Sequence, residues 1–294
     1  VKDCGAKILF TDDFAANAMK DAAIDASVKR VAFDDGASGA AFSSWLAPAG
    51  TRPQPVTIDP AWVFNIIYSS GTTGTPKGIV HTHHLRWCQY GKFETLGYSA
   101  DAVTMLSTPL YSNTTLVAVL ATLGVGGTTI LMPRSDVVKF LDIAERERVT
   151  HAMLVPVQYQ RILAHPDFDS YDLTSFKCKL STSAPLRAHI KADAVKRWPG
   201  RLIEIYGLTE GGGSCTLEAN LHPDKLHTVG KPVEGHDIRL IDDEGNEVAP
   251  GEMGEVVGRL FHEFAVVLGQ PSLLEDIEEV ARKKPHILRH PSHR

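Results

Sequence analysis

Residues 68–78 read YSSGTTGTPKG. Gly71, Gly74 and Gly78 let a backbone approach a ligand closely and turn its N–H groups inward, as an anion-binding nest requires. The hydroxyls of Ser69, Ser70, Thr72, Thr73 and Thr75 add hydrogen-bond groups without adding charge. Lys77 supplies a cation able to reach a phosphate oxygen. Such a set suits a polyphosphate. The plainer alternative is a flexible surface linker, since Gly/Ser/Thr runs are common there; the apolar stretch AWVFNIIY directly before the run argues against it. A P-loop of the G-x-x-x-x-G-K type is a poorer match, because Lys77 follows Pro76 rather than glycine. No G-x-S-x-G occurs, so serine-hydrolase chemistry is not indicated.

A second cluster is IYGLTEGGG, residues 205–213. Tyr206 offers a flat ring on which a base can stack, and Thr209 a hydroxyl. Glu210 stands in a glycine-lined loop and suits a Mg²⁺ ion held against phosphates. Taken alone, the stretch reads equally well as a strand-to-loop turn with one solvated acid. Two such clusters on one sheet are the stronger sign.

The elements that must position these residues alternate from about Trp62 to Tyr206. AWVFNIIYS predicts a buried strand delivering the loop, with a helix after it, so that both clusters lie at the carboxyl edge of a sheet. HHLRWCQYGKFETLG has helical character and stops near Gly97. AVTMLST, GTTILMP, HAMLVP, FKCKLS and RLIEIYG read as strands. TLVAVLATLG, SDVVKFLDIAERERV, VQYQRILAH and PLRAHIKADAVKRW read as helices, the second opened by a serine N-cap and the last by proline. In SDVVKFLDIAERERV the apolar positions are Val138, Leu141 and Val149. In FKCKLS, Phe176, Cys178 and Leu180 should face one side, and Lys177 and Lys179 the other. Strand–helix alternation of this kind implies an α/β fold, a mostly parallel sheet with helices on both faces. The expected division is an α/β part over 1–226, a small β-rich part over 227–259 built from HDIRLID and GEMGEVVGRL, and an atypical tail over 260–294. The tail carries PSLLEDIEEVARKK, with a capping box of Ser272 and Glu275 and an apolar stripe of Leu273, Leu274, Ile277, Val280 and Ala281.

The 294 residues are 43% hydrophobic and 22% charged, as in an ordinary globular protein. A formal net charge of −5 argues against a nucleic-acid-binding surface. Cys4, Cys88, Cys178 and Cys215 form no C-x-x-C pair, which speaks against zinc sites and disulfide frameworks and for a reduced, cytoplasmic setting. The uncharged stretch from Ala102 to Pro133 is interrupted by Pro109, Ser112–Thr115 and Gly126–Gly127. It is expected to be a buried strand, helix and strand rather than a membrane span. The first residues show no secretory layout, and the missing initiator Met suggests a processed chain or a fragment.

In order, YSSGTTGTPKG and YGLTE resemble the AMP-binding signature and the adenine/Mg²⁺ motif of the adenylate-forming superfamily: acyl-CoA synthetases, peptide-synthetase adenylation domains and luciferases. Between them STSAPL, residues 181–186, is similar to the family segment that lines the adenine pocket. PLYSNTTLVA, from Pro109, occupies the place of the segment that shapes the acyl site, and GEMGEVVGR, 251–259, resembles a β motif near the end of the large domain. The resemblance implies that Ser69, Ser70, Gly71, Thr72, Thr73, Gly74, Thr75 and Lys77 bind ATP phosphates. It implies that Thr182, Ser183, Ala184, Ile205, Tyr206, Gly207, Leu208 and Thr209 surround AMP, and that Glu210 holds Mg²⁺. Lys77, Thr209 and Glu210 become the catalytic set, and Tyr111 and Ser112 line the acyl pocket. The implied reaction joins a carboxylic acid to ATP as an acyl-adenylate, which a thiol, usually of coenzyme A, then displaces. The uncharged acyl segment leans towards a fatty or aromatic acid.

The sequence departs from the family pattern after Arg259. The glycine/tyrosine stretch, the ribose-binding aspartate, the hinge and the lysine-bearing lid domain are absent from it, as is the beginning of the large domain. The expectation is a chain truncated at both ends, with a tail introduced by truncation or a change of frame. A competing expectation is therefore a non-catalytic remnant that binds nucleotide weakly, or acts only by association with another chain through exposed sheet edges or its tail helix.

Overall fold

The computed structural model describes residues 3–34, 38–69, 76–90, 94–209, 211, 213–260 and 265–268. They form two compact units, 1–59 and 60–294. The first holds β1 (Ile8–Thr11), α1 (Asp13–Ala18), β2 (Lys29–Ala32), β3 (Ala40–Ala41) and the single turn α2 (Phe42–Trp45). Its three strands pair in parallel in the order β1-β2-β3.

In the second unit, β4 (Val63–Ser69), β5 (Lys77–Thr82) and α3 (His83–Tyr90) come first, then β6 (Val103–Leu106), α4 (Asn113–Gly124), β7 (Thr128–Leu131), α5 (Val137–Arg146) and β8 (His151–Leu154). They are followed by α6 (Pro156–Leu163), β9 (Cys178–Ser181), α7 (Ala188–Arg197), β10 (Arg201–Gly207), β11 (Ser214–Glu218) and β12 (Lys231–Pro232). The chain continues through β13 (His236–Ile241), β14 (Glu255–Leu260) and β15 (Ala265–Leu268). A seven-stranded sheet has the order β12-β11-β10-β9-β8-β6-β7. It is parallel from β10 to β7 and antiparallel at β11 and β12. The expected strand–helix alternation and α/β class are therefore present; in the uncharged stretch β6 is largely buried and α4 partly so, but β7 is the edge strand of the sheet and is not buried as expected. Among the described residues no helix is long and apolar enough to cross a membrane. β13 and β14 pair antiparallel, as the alternating runs predicted.

Alternate residues of the parallel strands feed two cores. Met105, Ala152, Leu154 and Leu202 pack with α5, α6 and α7; Leu106, Met153, Leu180 and Ile203 pack on the other face with Ala118 of α4. Trp198 centres the first core, with the rings of Phe140, Tyr159, Phe168 and Phe176 at 5.2–5.9 Å from it. Edge-on pairs of this kind add about 0.5–1.5 kcal/mol each beyond the area they bury.

Four local expectations need correction. Phe176 does not share a face with Cys178 and Leu180: it precedes β9 and packs on Trp198 in the first core, whereas they pack in the second, and Lys179, opposite Leu180 as the alternation requires, is fully buried because both faces of this central strand are covered. The Lys179 ammonium donates to the carbonyls of Trp198, Pro199 and Gly200 at 3.1, 2.6 and 2.9 Å, satisfying the end of α7. Gly200 has φ +85°, and a Cβ there would stand 2.4 Å from the Phe176 carbonyl oxygen. Secondly, α5 is capped by Asp136, whose carboxylate accepts from the Lys139 N–H at 3.1 Å, and not by Ser135; the shorter hydroxyl of Ser135 accepts from Gln158 instead. Thirdly, Val138 is 46% exposed, because the buried face of α5 is Phe140, Leu141 and Ala144. Fourthly, α7 starts at Ala188 after an extended Arg187, so Pro185 lies outside it. The capping box and apolar stripe of the tail lie outside the described residues.

Candidate active site

The glycine-rich run is followed by a strand and not by a helix. β4 and β5 pair antiparallel, with Ser69 opposite Lys77, so the run is the connection of a hairpin. β4 is not the buried strand expected: it is an edge strand, and Ile67 alone along it is buried. The hairpin belongs to a three-stranded sheet, β15-β5-β4, separate from the seven-stranded one. The reason lies in Lys77–Thr82: Ile79, Val80 and Thr82 are β-branched and suit a pleated strand. The helix begins only after Thr82, whose hydroxyl accepts the Leu85 N–H at 3.2 Å. Ser69 is half-buried and Lys77 exposed. Ser70, Gly71, Thr72, Thr73, Gly74 and Thr75 lie outside the described residues.

Behind the hairpin is a polar network. His81, on β5, is 1% exposed, and Arg86, on α3, is 6% exposed. Arg86 donates through Nη2 to His81 Nδ1 at 2.9 Å, through Nε to Asn65 Oδ1 at 3.0 Å, and through Nη1 to Gln89 Oε1 and Asn113 Oδ1 at 2.9 Å each. Since a guanidinium only donates, His81 Nδ1 must accept. Its proton is then on Nε2, which donates to the Thr209 carbonyl at 2.7 Å. Burial lowers the imidazole pKa, the Thr209 contact opposes that, and the Arg86 charge reinforces it, so the ring is neutral near pH 7. Burial also lowers the Arg86 pKa, to about 10, which leaves it charged at that pH.

The remaining predicted residues lie at the carboxyl ends of β9 and β10. Thr182, half-buried, and Ser183 and Ala184, both exposed, follow β9. Ser183 has φ 76°, a left-handed conformation that a residue with a Cβ adopts only when held there. Its hydroxyl shares a 2.8 Å hydrogen bond with that of Thr114, in the first turn of α4. Ile205 and Tyr206 are half-buried on β10, Gly207 ends the strand, and Leu208 and Thr209 follow it. Glu210 lies outside the described residues, and among the described residues no group of three or more His, Cys, Asp or Glu could hold a metal ion. Ser112 is the N-cap of α4 without a side-chain bond. Tyr111 is 81% exposed and, with the ends of β6 and β7, lines a recess of about 310 Å³ that also contains Leu110 and Met132.

Three contacts thus join the three candidate segments. His81 ties the hairpin to Thr209, Arg86 ties α3 to Asn113 of α4, and Thr114 ties α4 to Ser183. Sequence reasoning missed His81, Arg86 and Asn113. The available signal was a histidine inside the apolar run Ile79-Val80, since a polar group buried in a strand needs partners; nothing in the sequence said which.

The profile of the AMP-binding enzyme family matches residues 1–260. The chain belongs to that family. This AMP-binding chain is 35% identical over 209 residues to feruloyl-CoA synthase of Amycolatopsis sp, covering 69% of the chain and 41% of that protein. It is 30% identical over 272 residues to indoleacetate–CoA ligase of Aromatoleum aromaticum, covering 87% of the chain and 51% of that protein. Among solved structures it resembles the anthranilate CoA ligase AuaEII in complex with anthranoyl-AMP, with TM-score 0.75 and 25% identity over 91% of this chain and 52% of that one. The amide bond synthetase McbA of Marinactinospora thermotolerans shares the fold, with TM-score 0.78 and 23% identity over 97% of this chain and 56% of that one. The AMP-binding chain spans about half the length of the curated relatives it matches.

Proposed function

We propose that this chain is the nucleotide-binding part of an acid–thiol ligase, which activates an aryl carboxylic acid with ATP and passes the acyl group to coenzyme A. What carries the reading is the convergence of the hairpin, the β10 end and the 182–184 segment through the His81–Thr209, Arg86–Asn113 and Thr114–Ser183 contacts. The division into 1–226, 227–259 and a tail is part of the same proposal. So are a cytoplasmic setting and self-association through exposed sheet edges.

In this reading the loop from Ser69 to Lys77 grips the ATP phosphates. Thr182–Ala184 and Ile205–Leu208 hold adenine, and Thr209 meets the α-phosphate. Glu210 would hold a Mg²⁺ ion brought with the nucleotide, which would neutralise phosphate charge. Bringing a carboxylate up to a triphosphate requires charge neutralisation, which Lys77 and the metal supply. The acid attacks the α-phosphorus, pyrophosphate leaves, and a thiolate then displaces AMP from the mixed anhydride. An aryl acid is preferred to a fatty acid because ferulate, indoleacetate and coumarate name the relatives. The recess beside Tyr111, lined by Leu106, Leu131 and Met132, is apolar enough for such a group.

Carboxylate-dependent exchange of labelled pyrophosphate into ATP, across aryl and aliphatic acids, tests the reading. Exchange with aryl acids that disappears in Lys77→Ala and Glu210→Ala supports it. MgATP binding without exchange for any acid would reduce the function to nucleotide binding, and no binding by a folded chain would refute the reading.

A further inference from the structure

Arg86 is a buried cation held by neutral acceptors from four segments: Asn65 on β4, His81 on β5, Gln89 on α3 and Asn113 on α4. Burying a guanidinium costs free energy even when its donors are satisfied, and a methionine of similar reach would fill the space at lower cost. What methionine cannot do is select a tautomer. Arg86 Nη2 and Asn65 Nδ2 both point donors at His81 Nδ1, at 2.9 and 3.2 Å. The only proton of the neutral ring is thereby placed on Nε2, aimed at the carbonyl of Thr209. His81 also lies four residues from Lys77 on one strand, so both side chains leave the same face of β5.

We propose that Arg86 and His81 are positioning residues: Arg86 fixes the His81 tautomer, and His81 pins the Thr209 carbonyl, so that the segment after β10 is held at a set distance from Lys77. The inference deepens the nucleotide reading and rests on its assignment of Lys77 and Thr209 to the phosphate site. Neither residue touches substrate; both act through Thr209. Asn113 receives the other arm of the same guanidinium, so the start of α4 is set by the same cation.

The test uses the full chain and the variants His81→Leu, His81→Gln, Arg86→Met and Arg86→Lys. Glutamine can donate to the Thr209 carbonyl and accept from Arg86; leucine can do neither. Three readouts are taken: affinity for MgATP, hydrogen exchange of peptides covering 205–209, and ¹⁵N shifts of the His81 ring. The expected result is a roughly tenfold weaker MgATP affinity in His81→Leu, the worth of about one hydrogen bond, recovered to within about threefold in His81→Gln. Exchange at 205–209 should rise in His81→Leu and Arg86→Met. The parent ring should show a protonated Nε2 and a bare Nδ1, and Arg86→Met should weaken that preference, since Asn65 Nδ2 and the Thr209 carbonyl remain. If the parent binds MgATP and His81→Leu binds equally, the inference is overturned and the nucleotide reading stands. If the parent does not bind MgATP, the nucleotide reading falls, and exchange at 205–209 decides the inference alone: a rise reversed by glutamine supports it, no rise overturns it. Should His81→Leu fail to fold, Arg86→Lys, which keeps the charge but not the fork, carries the same comparison.

Discussion

Glu204 and Leu186 are joined by a hydrogen bond of 2.7 Å, from the backbone N–H of Leu186 to the buried carboxylate of Glu204. The other carboxylate oxygen meets the ammonium of Lys191, a group that also donates to the Thr228 carbonyl at 2.7 Å. Glu204 lies on β10 two residues before Tyr206, and Leu186 ends the STSAPL segment, so this contact holds two sides of the candidate adenine site together. The pair is 2–3% exposed. Breaking it leaves an uncompensated buried charge, whereas removing both partners does not.

Lys191→Met should therefore destabilise the chain by about 3–5 kcal/mol in urea denaturation, while Lys191→Met with Glu204→Leu costs much less. The double variant still loses the acceptor for Leu186 N–H, so its nucleotide affinity should fall even where its stability is restored. A single variant within about 1 kcal/mol of the parent would contradict this account.

Ser183 separates strain from contact. Its left-handed φ of 76° favours glycine, and its hydroxyl bonds that of Thr114. Ser183→Ala keeps the strain and loses the bond; Ser183→Gly loses both. We expect alanine to be the less stable variant by about 1 kcal/mol. Both variants should weaken MgATP binding, read by calorimetry beside melting curves. Equal stability of the two variants would show that the conformation is not strained.

How far the sequence carried this picture depended on the kind of order involved. The strands β6, β8 and β10 were legible because their apolar runs need two covered faces, β9 by its alternation, and α4 because its apolar run is bounded by Ser112 and Gly124. The turn from β4 into β5 was not. Period-two and period-3.6 patterns are hard to tell apart over the six residues of β5, and the choice is made by pairing with β4. Lys179 shows the same limit. Its alternation with Leu180 was visible, but the carbonyls at the end of α7 that make burial tolerable come from residues 198–200. For the candidate site, the glycine, hydroxyl and acidic residues were proposed from their type, and Ser70–Thr75 and Glu210 lie outside the described residues. His81, Arg86 and Asn113 were not proposed, because their roles exist only once three separate segments meet.

Acid should weaken the fold through His151. The ring is fully buried against Tyr98, with ring centroids 4.0 Å apart, and its Nε2–H donates to the Leu96 carbonyl at 3.2 Å. Burial lowers its pKa from 6.5 to about 4; the Leu96 bond opposes this. The unfolded chain then takes up a proton that the folded chain refuses, so stability is full above pH 6.5 and is lost as pH falls towards 4, by up to about 3 kcal/mol. His151→Gln keeps a donor for Leu96 but does not titrate. The difference in urea midpoint between parent and variant should therefore shrink or reverse between pH 7 and 4.5; parallel curves would rule the group out.

Under the proposed function, Tyr111 bears on which acid is taken. It is exposed at the mouth of the recess formed by the ends of β6 and β7, one residue before the N-cap of α4 and two before Asn113, which Arg86 holds. A ring so placed can stack on an aryl substrate yet contributes little to folding, since few core atoms touch it. Tyr111→Ala should leave the melting temperature within about 2 °C of the parent and MgATP affinity unchanged. In pyrophosphate exchange it should raise the KM for an aryl acid by about tenfold, the worth of one stacking contact, and alter that for an aliphatic acid far less. Equal effects on both acids would place the acyl group elsewhere. A change in MgATP affinity instead would move Tyr111 from the acid side of the site to the nucleotide side.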